Sequence, residues 1–306
     1  MPGRRPCRRP HRAVRTVDLP IVVGVDGSEA TLRAVDWAAD EAARRKVPLR
    51  LVHASLWERF EGAAPAGLAQ KPAEQVMAEN IVEAAAQRAH RRQAGVPTST
   101  DVLPEEPASA LVRESRNATA VVLGTHGRGG LAELLLGSVS LSVAERASCP
   151  VIVLRGSADD RARADEPGLV VLGVKEAAAD SAAARFALRE AELRGVPLEA
   201  VRAWRAHGHA RPAPSAPQEG PAPTHEQQAV EALRTAVHDA PKAVEVYRHA
   251  VQGAPRPVLL AASQDADLLV VGARRERGRA GLRLGRVARG VLHHSACPVA
   301  VVPEPP

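Results

Sequence analysis

Thr119-Ala-Val-Val-Leu123 runs into Gly124-Thr-His-Gly127, and nine residues later the chain reads Gly137-Ser138-Val139-Ser140 before continuing as Leu141-Ser-Val-Ala-Glu-Arg-Ala147. The first run is a short, continuously apolar segment of the kind that forms a buried parallel strand. The last has the spacing of a helix. A strand, a glycine-rich loop and a helix start together present several unpaired N–H groups to an anion. Glycine permits positive φ and close approach of a ligand to the backbone. Ser138 and Ser140 add hydroxyls where the helix dipole already favours negative charge. The stretch predicts an α/β fold with a nucleotide site.

Outward from this motif the elements alternate. A strand is expected at 20–25, a helix from Ser28 to Arg45 and a strand over Leu49–His53. A helix over 73–93, a strand over 98–103, a short helix over 108–115 and a last strand at Val151–Leu154 complete the set. This order predicts a doubly wound parallel sheet.

The whole plan then recurs. Val22-Val-Gly-Val25 matches Val171-Leu-Gly-Val174, and Val47-Pro-Leu49 matches Val196-Pro-Leu198, each 149 residues on. Gly124 and Gly137 match Gly272 and Gly285, and Cys149-Pro-Val151 matches Cys297-Pro-Val299, each 148 residues on. Anchors in register imply tandem homologous domains, 18–155 and 169–306, joined by a polar linker over 156–168 and preceded by a basic extension over 1–17. In the second copy the middle loop, His207 to Pro223, is Pro-rich and expected at the surface.

The formal net charge of +6 comes from the start of the chain. Arg4, Arg5, Arg8, Arg9, Arg12 and Arg15 precede the first acid, Asp18, and the remaining residues carry 35 basic and 35 acidic side chains. This segment is read as a disordered extension rather than a basic arm, because it has no apolar periodicity. It has no apolar core of a secretory signal, and no run is long enough to span a bilayer. With six aromatic residues in all, the chain offers few stacking platforms for nucleic acid. Neither a specific nucleic acid nor a membrane is expected as partner. Three cysteines without CxxC spacing fit a reducing cytoplasm, with Cys149 and Cys297 as small buried hydrophobes.

In doubly wound sheets, ligands bind beyond the carboxyl ends of the strands where chain order reverses. That places Gly24-Val25-Asp26-Gly-Ser28 beside the loop that begins at Gly124. Asp26 has two readings. Its carboxylate can accept hydrogen bonds from a ribose or an adenine, or it can fix the start of the following helix.

The Gly-x2-Gly-x9-Gly-Ser spacing, the Val-Gly-Val-Asp-Gly-Ser opening, the Val-His-Ala second strand and the Cys-Pro-Val ending resemble the universal stress protein family in its tandem form. The resemblance implies a Rossmann-like strand order of 3-2-1-4-5. It also implies ATP, with magnesium held through the phosphates. Adenine would lie near Asp26, Ala54 and Leu123, and ribose and phosphates would be held by Asp26, Gly124, Gly127, Gly137, Ser138, Val139 and Ser140. Beside that set, Gly24 and Val25 lead into Asp26 and are expected at the site, and Arg128 in the glycine loop is either a phosphate contact or a solvated loop residue.

The second copy departs from this pattern. Lys175 stands for Asp26, Arg275 for Gly127, Arg286 for Ser138 and Ala288 for Ser140. It is expected not to bind ATP in the family's manner. Its arginines at 274, 275, 277, 279, 283, 286 and 289 form either an anion-binding patch or a compositional bias.

No Walker-type lysine and no residue set for phosphoryl transfer is present. His126 stands alone without a positioned partner. A nucleotide-responsive stress protein is therefore expected rather than an enzyme, with slow ATP hydrolysis left open. The alternative is a structural or adaptor module that uses neither site. His207, His209, His225, His293 and His294 lack the fixed geometry of a metal site. The apolar strands Val151–Leu154 and Val299–Val302 would pair, giving an intramolecular pseudo-dimer, with a homodimer of whole chains also open.

Overall fold

A computed structural model describes residues 18–56, 73–125, 136–154, 168–175, 180–205, 224–275 and 282–305. The basic extension, the Pro-rich loop over 207–223, all but the last residue of the linker, and His126, Gly127 and Arg128 lie outside these residues.

In the first half the order is β1 (Ile21–Gly24), α1 (Glu29–Arg45), β2 (Leu49–Ala54), α2 (Ala73–Arg92), β3 (Thr98–Leu103), α3 (Pro107–Glu114), β4 (Ala120–Gly124), α4 (Ser138–Arg146) and β5 (Val151–Leu154). The second half follows with β6 (Val170–Gly173), α5 (Ala182–Arg194), β7 (Leu198–Trp204), α6 (His225–Ala236), β8 (Val246–Gln252), α7 (Pro255–Ala262), β9 (Leu268–Arg275), β10 (Leu282–Arg283), α8 (Arg286–His294) and β11 (Val299–Glu304).

The strand order is β3-β2-β1-β4-β5 in the first half and β8-β7-β6-β9-β11 in the second. Each is the 3-2-1-4-5 arrangement of a parallel, doubly wound sheet. The short β10 is an addition, pairing antiparallel with the end of β9. β5 and β11 also pair antiparallel, with Val151 opposite Val301, Ile152 opposite Ala300 and Val153 opposite Val299. One sheet therefore runs through both halves.

Apolar residues fill both faces of the central strands β1, β4, β5 and β6 because helices cover both. Ile21 and Val23 pack on one side with Ala34, Val35, Ala38 and Ala42 of α1. Val22, between them, points to the other side with Leu111 of α3 and Val143 of α4. Each core layer includes residues of both halves. The buried alanines of α1 recur at helical spacing and let the helix lie close to the sheet.

Caps set the helix limits. The Ser28 side chain accepts from the Thr31 N–H at the start of α1, and Ser181 does the same with Ala184 at the start of α5. Both helices end in a left-handed residue, Lys46 (φ 57°) after α1 and Gly195 (φ 66°) after α5. Only the second is the residue type that this conformation favours.

Among the described residues, no helix is long and apolar enough to cross a membrane. Burial pushes the Cys149 thiol up to about 12, so it stays protonated and unreactive at neutral pH.

Candidate functional site

The loops after β1 and β4 meet at the first turn of α1. Gly124 ends β4 so close to that turn that a Cβ on it would lie 2.9 Å from the backbone carbon and oxygen of Ala30. Only glycine fits this approach. Gly24 is similarly crowded, since its Cβ would fall 2.9 Å from side-chain atoms of Leu111 and Leu123.

Asp26 lies between these strands. Its Oδ1 accepts from the Ser28 N–H and from the Thr31 hydroxyl, each at 2.9 Å. Gly27 takes φ 81° to make the turn. The structure thus gives Asp26 the local role of fixing the start of α1, through one of its two carboxylate oxygens. Thr31, a residue 7% exposed, is the buried partner in this arrangement. The sequence reading missed Thr31, although its place three residues after a serine N-cap was a usable signal.

Val25, Ala54 and Leu123 are buried at the carboxyl ends of the strands. His53 Nδ1 lies 2.7 Å from the Val25 carbonyl oxygen. Because a carbonyl only accepts, this nitrogen carries the proton and ties the end of β2 to the loop after β1.

The start of α4 is built differently from the start of α1. Its N-cap is Gly137, and no side chain caps the first turn. The Gly137 N–H donates to the Thr125 carbonyl at 2.7 Å, and the Leu141 N–H donates to the Gly137 carbonyl at 3.1 Å. The N–H groups of Ser138, Val139 and Ser140 precede the first intrahelical donor and point out of the helix end. Ser138 is exposed and Ser140 buried. The Ser140 hydroxyl donates to the Gly124 carbonyl at 2.8 Å. Its proton therefore holds α4 to β4 and is not available to a ligand, a correction to the expectation of two free hydroxyls. Gly127 and Arg128, the other loop residues expected to contact phosphate, lie outside the described residues.

In the second half this region is remodelled. β9 continues through Arg275 where β4 stops at Gly124, and β10 folds back on it, with Leu282 opposite Arg275. β11 is also longer than β5, reaching Glu304 opposite Arg274. The Glu304 carboxylate accepts from the Ser181 hydroxyl at 2.7 Å and from the N–H groups of Ala182 and Ala183 at 2.8 and 3.0 Å. A side chain of the protein thus fills the start of α5. A Cβ on Gly272 would lie 2.9 Å from Glu304 Oε1. Arg289, one of the expected basic cluster, pairs with Glu145 of the first half. Sequence reasoning missed Glu304 because a Pro-Glu-Pro ending carries no sign of extending a strand.

Family comparison gives the same division of the chain. The model for the universal stress protein family matches residues 19–155 and again 169–303. The chain belongs to the universal stress protein family. It is 33% identical over 289 residues to a universal stress protein of Mycobacterium tuberculosis, covering 92% of this chain and 96% of that one. A crystal structure of a universal stress protein from Archaeoglobus fulgidus shares its fold, with a TM-score of 0.64 at 16% identity over 93% of this chain and 98% of that one. A universal stress protein from Archaeoglobus fulgidus in complex with dAMP matches 45% of this chain and 98% of that one, at 26% identity and a TM-score of 0.35.

Proposed function

We propose that the first half of this universal stress protein binds an adenine nucleotide, ATP with magnesium carried on its phosphates, and that occupancy sets the partner-binding state of a cytoplasmic stress-response factor. The observation that carries this reading is the start of α4. It has a glycine N-cap without a capping side chain, at the switch point of the sheet, where ligands of doubly wound folds bind. The N–H groups of Ser138, Val139 and Ser140 would hold phosphate there, with Gly124, Gly127 and Arg128 around it. Val25, Ala54 and Leu123 would line the adenine, and Oδ2 of Asp26 would face the ribose. Ser140 contributes its N–H rather than its hydroxyl.

The second half is assigned no ATP, since β9 runs on to Arg275 and pairs with β10, and the Glu304 carboxylate occupies the start of α5. No catalytic step is assigned, and binding itself is the function. The two halves, paired through β5 and β11, would act as an intramolecular pseudo-dimer.

A second reading, an adaptor that uses no nucleotide, is supported by the local roles of Asp26, Gly124 and Ser140, each satisfied inside the fold. Calorimetry of the full chain with Mg-ATP separates the two. The nucleotide reading expects one site per chain, and absence of binding heat by folded protein overturns it. Gly137→Val should abolish binding, but a Cβ there lies 3.0 Å from the Thr125 oxygen, so its melting curve must accompany the titration. Ser138→Glu is the cleaner variant. It places a carboxylate on an exposed first-turn position that suits negative charge, and should remove ATP binding while leaving the melting temperature equal or higher.

A further inference from the structure

The contact between α1 and α5 buries four charges. Glu41 and Glu190 have side chains 2% and 0% exposed, and Arg45 and Arg194 are each 8% exposed. Arg45 Nε donates to Glu41 at 2.5 Å, and its Nη2 reaches across to Glu190. Arg194 bonds to Glu190 on its own helix and reaches across to Glu41 at 2.8 Å. The guanidinium of Arg45 also lies over the Phe186 ring at 5.4 Å, and that of Arg194 over the Trp37 ring at 5.5 Å.

These six residues are three repeat pairs. Trp37 and Phe186, Glu41 and Glu190, Arg45 and Arg194 are each 149 residues apart. On each helix they form an aromatic-x3-Glu-x3-Arg row along one face, at the i, i+4, i+8 spacing that keeps side chains in line. The β5–β11 pairing has the same symmetry. Ile152 lies opposite Ala300, its own repeat partner, and Val151 and Val153 lie opposite Val301 and Val299, each crossing to the partner of the other. An interface in which residue i meets j while j meets i is isologous, and the same patch is used on both sides.

We propose that this ring of charges is a self-complementary pairing code, and that the partner it fits, apart from the other half of the same chain, is the same half of a second copy. In the ring, an Arg position always meets the Glu position of the facing helix. Two halves of the same polarity close it, whichever halves they are, whereas two of opposite polarity bring Glu against Glu and Arg against Arg. A buried ion pair is weak evidence for net stability, and setting registry is the best attested of its uses. Within one chain the other half is always near, so effective concentration favours internal closure.

The test reverses polarity in the full chain. A one-half variant, Glu41→Arg with Arg45→Glu, faces an unreversed second half and cannot close internally. It should melt at least ~5 °C lower and, on native mass spectrometry after refolding, show twice the mass of the unaltered protein, with first half paired to first half and second to second. Adding Glu190→Arg and Arg194→Glu restores matching polarity, and should return the original mass and most of the lost melting temperature. The proposal is overturned if the one-half variant keeps the original mass and melting temperature, if it yields only unpaired or aggregated chain, or if the fourfold variant recovers nothing.

Discussion

Ser140 and Gly124 are joined by a hydrogen bond from the serine hydroxyl to the glycine carbonyl at 2.8 Å, which fastens the first turn of α4 to the end of β4. Ser140 is 5% exposed, so no water replaces the donor if the hydroxyl is removed. Ser140→Ala should cost about 1–3 kcal/mol, because it leaves a buried acceptor unpaired. Urea denaturation followed by circular dichroism measures this, and an unchanged midpoint would show that the bond is not what holds the two elements together.

Gly124 and Gly272 occupy the same place in the repeat but should respond differently to a methyl group. At 124 the added carbon meets backbone of Ala30, which cannot turn away. At 272 it meets the end of the Glu304 side chain, which can. Gly124→Ala should cost about 2–3 kcal/mol through overpacking. Gly272→Ala should cost less, chiefly through displacing Glu304 from the start of α5. In a Glu304→Ala background the Gly272→Ala effect should largely vanish, a non-additivity expected of residues in contact.

Lys46 is the one described non-glycine residue with positive φ, and its repeat partner is Gly195. A left-handed conformation costs an L-residue roughly 1–2 kcal/mol relative to glycine. Lys46→Gly should raise the melting temperature by about 2–4 °C per kcal/mol recovered. Scanning calorimetry decides this, and a lower midpoint would mean that the lysine side chain contributes more than the conformation costs.

Glu106 caps α3, accepting from the N–H groups of Ala108 at 3.0 Å and Ser109 at 2.7 Å. Burial raises the pKa of its carboxyl, but these hydrogen bonds and the charge of Arg146 outweigh that and hold it below the usual 4.5. A group depressed in this way stabilises the fold above its unfolded value and loses that contribution as pH falls through the folded one. Glu106→Gln should therefore melt below the unaltered protein at neutral pH. Its midpoint should fall less steeply between about pH 5 and pH 3, so that the two curves converge in acid.

Much of the fold was legible because the central strands β1, β4 and β5 are continuous apolar runs and the helices flanking them have apolar spacing. The expected strand over 98–103 and the helix from Ser28 to Arg45 correspond to β3 and α1, with Ser28 as the cap rather than the first helical residue. The repeat offset was enough to foresee that the second loop differs from the first. It was not enough to foresee how, because conversion of a loop into a β9–β10 hairpin depends on strand pairing, which short polar stretches do not announce. At the candidate site the glycines and Asp26 were legible by type and spacing. Their local duties were not, since the partner of Ser140 lies sixteen residues away. The charge ring was the largest miss. Glu41 and Arg45 have only the i, i+4 spacing common to charged pairs on helices, and the antiparallel joining of the two halves is what sets a second such pair against them.

That antiparallel joining also gives the molecule two poles. The carboxyl ends of β1 and β4 lie at one end of the sheet, and those of β6 and β9 at the other, because β5 and β11 run in opposite directions. The ends of β1 and β4 in the first half and the paired β9 and β10 of the second therefore face away from each other, and no single small ligand can touch both. What connects them is helix. α4 begins at the first pole and ends near Glu145, where Arg289 of the second half meets it. Nine residues of helix span about 14 Å, so one short rod runs from the first pole to the contact with the second half.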